Sequence, residues 1–243
     1  MKALIFAAGL GTRLRPLTDN LPKALVPVAG VPMLKRVVDK LYDAGIEEFV
    51  VNVCYLKDKI YGYLESSGLG GIVAVSDEEG TEPLETGGGI KHAAPLLGAG
   101  RFLVHNVDIL SNLDVKWFLG QDREDSLAML LVTDAPADRY LLFDDAMRLA
   151  GWTNVRTGEV KSPYPDFNPE TCRRFSFCGI HIISDRVFAI MEDWPDRFSI
   201  IDFYLAQAAS HPIYGVPVPD LKMIDIGTPE TLVVASARIG EFQ

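Results

Sequence analysis

The first part of the chain alternates short apolar runs with stretches in which apolar residues recur every three or four positions. Residues 2–7 (KALIFA) are a continuous apolar run, the pattern of a strand buried on both faces. From Pro32 onward Leu34, Val37, Val38, Leu41 and Tyr42 fall at i, i+3, i+4, i+7 and i+8. That is the stripe of an amphipathic helix, with proline at its start and Gly45 at its stop. Residues 49–53 (FVVNV) read as the next strand, 55–66 as a helix and 71–76 (GIVAVS) as a third strand. Residues 88–97 (GGIKHAAPLL) open a helix after a run of glycines. Residues 101–108 (RFLVHNVD) read as a strand ending on an acid, and 126–133 (SLAMLLVT) as another strand. Such alternation implies right-handed crossovers and a parallel sheet covered on both faces.

After about Leu141 the rhythm shortens. Residues 140–163 (YLLFDDAMRLAGWTNVRTGEVKSP) read as short antiparallel strands joined by turns, and 175–183 (FSFCGIHII) as one long strand. Helices follow near 185–192 and 200–209, then the strand-like IYGVPV and LKMIDIGTP. No repeat, low-complexity tract or Ser/Gly linker interrupts the chain. The expected fold is α/β: a doubly wound, mostly parallel (Rossmann-like) mixed sheet with helices on both faces and a small antiparallel elaboration. Residues 1–243 are expected to form a single domain.

Composition narrows the function. A chain of 243 residues with 48% hydrophobic content is long and apolar enough for a substantial core. A net charge of −10 argues against nucleic acid or an anionic membrane as partner. The charge is uneven: residues 1–40 carry +5 and the remainder −15. A basic segment on an acidic chain suggests a local anion site, although Lys35, Arg36 and Lys40 suit a solvated helix face. Cys54, Cys172 and Cys178 form no CxxC pair, and no signal-peptide or membrane-length apolar pattern is present. A reduced, cytoplasmic protein is expected. His92, His105, His181 and His211 show no metal-ligand spacing, and Trp152, in GWT (151–153), reads either as a hairpin or core residue or as the lining of a ligand pocket.

The positive charge gathers in the loop after the first strand, IFAAGLGTRLRPLTDNLPK (5–23). It is not a P-loop, because no Gly-Lys pair occurs in the chain. A dinucleotide fingerprint fails too, because Leu14 stands where the third glycine would let a helix pack closely. What remains is a loop at the carboxyl edge of a strand, where open α/β sheets bind ligands. Gly9 and Gly11 allow close backbone approach to an anion, Arg13 offers a planar fork, and Lys23 offers a point charge.

Four segments, taken in order, resemble the sugar-1-phosphate nucleotidyltransferases. Ala7-Ala8-Gly9-Leu10-Gly11-Thr12-Arg13-Leu14-Arg15-Pro16-Leu17-Thr18 with Pro22-Lys23 is similar to the family signature. Residues 82–89 (EPLETGGG) resemble its second nucleotide-side loop, 106–108 (NVD) its strand-ending aspartate, and 225–232 (DIGTPETL) its C-terminal aspartate followed by Gly-Thr-Pro. Val107 departs from the usual glycine, and GEVKSP (158–163) only loosely echoes the segment many relatives use around the sugar phosphate.

The resemblance implies attack by a sugar-1-phosphate oxygen on the α-phosphorus of a nucleoside triphosphate, releasing pyrophosphate. It implies catalytic roles for Arg13 and Lys23, and Mg²⁺ held by Asp108 and Asp225. Nucleotide contacts would come from Ala7, Ala8, Gly9, Gly11, Thr12, Arg13, Lys23, Glu79, Thr86 and Gly87, with Gly87, Gly88 and Gly89 letting the loop close over base and ribose. Sugar contacts would come from Asn106 and Gly179. The nucleotide-binding part would span about 1–135 and the sugar-binding and C-terminal part about 136–243. The Leu-Glu-Thr-Gly-Gly-Gly form of the second loop (84–89) points to the subgroup pairing UTP with N-acetylmuramate 1-phosphate. Guanylyl transfer to mannose 1-phosphate, uridylyl or thymidylyl transfer to glucose 1-phosphate, and cytidylyl transfer remain open. So does a catalytically silent nucleotide-sugar sensor or subunit. The expected assembly is a monomer or homodimer.

Overall fold

The computed structural model describes residues 1–78, 80 and 82–242. Its first strand, β1 (Lys2–Phe6), is buried through Ala3, Leu4 and Ile5 as its apolar run requires. The loop after it passes through short 3-10 turns and a minimal hairpin, β2 (Pro27–Val28) and β3 (Val31–Pro32), into α1 (Met33–Asp43). Met33, Leu34, Val37, Val38 and Leu41 bury the predicted face, while Tyr42, at the margin of the stripe, stays exposed. β4 (Glu48–Val53), α2 (Lys57–Ser67), β5 (Val73–Asp77), α3 (Glu85–Leu97) and β6 (Arg101–Asn106) complete the alternating half. Next come β7 (Ile109–Ser111), α4 (Val115–Leu119), β8 (Ala128–Thr133), β9 (Arg139–Phe143), β10 (Leu149–Asn154) and β11 (Glu159–Lys161). The chain ends with β12 (Arg173–Ser184), α5 (Arg186–Met191), α6 (Ile200–Gln207), β13 (Ile213–Pro217), β14 (Met223–Asp225) and α7 (Pro229–Ala237).

β1 lies between β4 and β6, parallel to both, with β5 parallel beyond β4. β12 is antiparallel to β6 and long enough to serve two further neighbours. Its later residues pair with β8, while Arg173–Phe175 pair with β9, from which β10 and β11 continue antiparallel. The antiparallel elaboration is therefore not a separate layer. It is an arm of the same ten-stranded sheet, attached through one strand. Helices α1, α2, α4 and α7 cover one face; α3, α5 and α6 cover the other. Among the described residues no helix is long and apolar enough to cross a membrane.

Two histidines are built into the sheet. The ring of His181 packs edge-on against Phe177 and Tyr204, and its Nδ1 lies 2.8 Å from the Tyr204 hydroxyl. Burial lowers its pKa to about 3, and burial lowers that of His105 to about 4. The unfolded chain protonates these rings below about 6.5, and the native state does so only at the lowered values. Stability is therefore lost as pH falls from about 6.5, by up to about 1.4 kcal/mol per pH unit for each ring. The expected outcome is a Tm that declines on the acid side, with a shallower decline in His181→Gln, as thermal melts across pH 4–7 would show. Parallel melting curves for the two proteins would contradict this.

Candidate active site

The carboxyl ends of β1, β4, β5 and β6 open into a cleft of about 420 Å³. The loop after β1 forms one wall, through Ala7, Ala8, Gly9, Gly11, Thr12 and Arg13. Gly11 adopts φ +62°, a region that disfavours side chains, and a Cβ there would meet Thr18 at 2.9 Å. Its carbonyl accepts from the Thr18 hydroxyl at 2.7 Å, which folds the loop back on itself.

The floor is a buried polar chain. The Ala7 amide donates to Asn52 Oδ1 at 2.7 Å, and Asn52 Nδ2 donates to Glu78 Oε1 at 2.6 Å. Glu78 Oε2 accepts from the Leu84 amide at 2.8 Å. Glu78 is 1% exposed, so the bonds it accepts take the place of water around its charge. The chain ties the ends of β1, β4 and β5 to the start of α3. Sequence reasoning missed both side chains. Asn52 had a signal, a lone amide in the apolar strand FVVNV; Glu78 was hidden among Asp77, Glu79 and Glu82.

Asp108 and Asp225 come from distant parts of the chain and meet through one ribbon. β14 pairs antiparallel with β7, setting Asp225 opposite Ile109, and the Ile226 amide donates to the Asp108 carbonyl at 2.9 Å. Lys23, fixed behind Pro22, contacts the Asp108 carboxylate and lies 3.7 Å from that of Asp225. Arg13 approaches Asp225 at 4.0 Å from the open side. Burial raises the Asp225 pKa, and the like charge of Asp108 adds to this; Lys23 and Arg13 oppose it. The Gly-Thr-Pro after Asp225 is a helix start: Thr228 caps α7 by accepting from the Thr231 amide, and Pro229 occupies its first turn. Gly227 lets the Arg13 guanidinium lie against the backbone, where a Cβ would stand 2.8 Å from it.

Thr86 and Asn106 also line the cleft, whereas Gly87, Gly88, Gly89 and Gly179 are placed outside its lining. Gly87, Gly88 and Gly89 are not a mobile loop but lie in the first turns of α3. The amides of Gly87 and Gly88 donate to the Phe198 carbonyl, so they are not free for a ligand. A Cβ would stand 2.3 Å from the Phe198 ring at Gly87 and 2.0 Å from the Asp196 carbonyl at Gly88. Gly179, at φ +70° in the irregular stretch of β12 opposite β8, makes room for the amide of Asn106. Glu79 lies outside the described residues.

Arg13, Lys23, Asp108 and the glycine backbone of the opening loop give the cleft fixed charge and fixed position. That equipment suits group transfer between phosphates. The family model described as "Nucleotidyl transferase" matches residues 2–140, and the chain belongs to that family. It is a sugar-1-phosphate nucleotidyltransferase.

An N-acetylmuramate alpha-1-phosphate uridylyltransferase of Caulobacter vibrioides is 33% identical, over 98% of this chain and 97% of that one. A mannose-1-phosphate guanylyltransferase of Mycobacterium tuberculosis is 36% identical over 98% of this chain and 64% of its own length. HddC from Yersinia pseudotuberculosis, crystallised with GMP-PN, superposes with a TM-score of 0.76 at 26% identity, covering 98% of this chain and 99% of that one.

The packing at α3 has a direct test. Gly88→Ala forces backbone or helix displacement, and such overpacking typically costs about 1–3 kcal/mol. Urea denaturation should show that loss; an unchanged midpoint would mean that α3 does not sit this close to Asp196.

Proposed function

We propose that the chain transfers uridylyl from UTP to N-acetylmuramate 1-phosphate, forming UDP-N-acetylmuramate and pyrophosphate. The observation that carries the phosphate chemistry is Lys23 held between Asp108 and Asp225 at the mouth of the cleft. The substrate pair is supported by the Leu84–Gly89 segment and by the full-length Caulobacter relative.

The attacking group is a phosphate monoester whose second pKa is about 6, so it reaches the site already ionised near neutral pH. Its oxygen forms a new bond to the α-phosphorus, and the bond from that phosphorus to the bridging oxygen breaks, pyrophosphate leaving with the electron pair. The protein has to bring two anions together and steady the charge that moves. Lys23 serves the centre being attacked, Arg13 the departing pyrophosphate, and the backbone at Gly9 and Gly11 the remaining phosphate oxygens. Thr12 and Thr86 flank the nucleotide, and Asn106 faces the sugar.

Two hard carboxylates with no third His, Cys, Asp or Glu grouped beside them, among the described residues, fit a cation that keeps waters and takes substrate phosphates as ligands. Asp108 and Asp225 would hold Mg²⁺, which when bound neutralises triphosphate charge and orients it. A silent sensor would have lost at least one of these four charged residues, and Arg13, Lys23, Asp108 and Asp225 are all present.

Pyrophosphate release should be measured with Mg²⁺, five nucleoside triphosphates and a panel of sugar 1-phosphates. UTP with N-acetylmuramate 1-phosphate is expected to turn over fastest. Preference for GTP with mannose 1-phosphate would overturn the substrate pair, and no turnover with any pair would overturn the enzyme reading. Lys23→Met and Asp108→Asn should each lower kcat by at least about 100-fold, in line with deletion of comparable electrostatic groups.

A further inference from the structure

Beside the phosphate cleft lies a second depression of about 510 Å³, whose floor is set by strand register. Cross-strand partners share a face. Leu141, Trp152 and Lys161 therefore form one row across β9, β10 and β11, and Arg139, Asn154 and Glu159 form the next. Ser199 and Asp202, at the start of α6, stand over them. One hydrogen bond separates this depression from the cleft. Thr86, which lines the cleft, accepts from the Ile200 amide at 3.0 Å, and both chain neighbours of Ile200 line the depression.

The charges here are unequally satisfied. Lys161 lies 3.4 Å from Asp202 and 3.8 Å from Glu159, so one lysine serves both acids, and it also sits over the Trp152 ring. Asp138, the chain neighbour of Arg139, pairs with Arg156 at 3.2 Å. Arg139 is exposed, its register partner Asn154 is neutral, and it forms no ion pair with another described residue. Its position is on the cleft side. β9 pairs with β12 at Leu141 and Phe175, and two residues further along lie Arg139 and Phe177, short of the Gly179–Asn106 contact.

We propose that Arg139 binds an acidic substituent on the sugar, fixing the enzyme's preference for an acidic sugar phosphate. This inference rests on the reading of N-acetylmuramate 1-phosphate as substrate, whose lactyl carboxylate distinguishes it from neutral N-acetylglucosamine 1-phosphate. A guanidinium fork matches a carboxylate in two hydrogen bonds. A neutral sugar gains nothing from it, while the polar atoms of Asn154 remain available to either sugar.

The test is steady-state kinetics with UTP and each of the two sugar phosphates, for the wild type, Arg139→Leu and Arg139→Lys. The wild type should prefer the acidic sugar. Arg139→Leu should raise KM for it about 10- to 100-fold, the range for a lost hydrogen bond to a charged group. It should leave kcat and the neutral sugar's kcat/KM within about two-fold, with partial recovery in Arg139→Lys. Retained preference in Arg139→Leu, or equal loss with both sugars, would overturn the role of Arg139 while leaving the substrate reading intact. A wild type without preference for the acidic sugar would overturn both.

Discussion

The site depends on one ammonium shared by two carboxylates. Asp108 and Asp225 repel each other, and burial works against the charge of Asp225. They stay together because β14 is zipped to β7 and because Lys23, 11% exposed, stands between them. Two acids and a cation held in this way form a place where phosphate anions and a cation can exchange partners without rebuilding the protein. The opening loop serves the same end: Gly11 and Pro22 fix where it turns, and Arg13 closes the outer side against Asp225.

The rest of the architecture holds that arrangement in place. The Ala7–Asn52–Glu78–Leu84 chain of hydrogen bonds fixes the floor, and the glycines of α3 let that helix lie against Asp196 and Phe198. β12 does the longer-range work. Its last residues, Ile180–Ser184, border β6, and its first residues carry the arm on which Trp152 and Arg139 sit. A single strand therefore connects the edge of the phosphate cleft to the arm.

Much of this was legible in the sequence where local pattern and function coincide. The stripe Leu34–Leu41, the apolar runs of β1 and β4, and the loop carrying Arg13 and Lys23 announce themselves by period, glycine and charge. What was not legible depends on partners far away in the chain. The glycines at 87–89 look like a mobile loop until Phe198, Asp196 and Glu78 are seen against them in turn. Gly179 looks like space for a ligand until Asn106 fills it. Glu78 is one acid among several until burial singles it out. In each case the sequence shows a residue type that permits a close contact and withholds what makes the contact.

The central claim, that Asp108 and Asp225 act together on a metal-bound triphosphate, is tested most directly by calorimetric titration of UTP into the protein with and without Mg²⁺. The wild type should bind UTP more tightly when Mg²⁺ is present, and Asp108→Asn and Asp225→Asn should each lose that gain while still binding UTP alone. A full Mg²⁺-dependent gain in either variant would contradict the account.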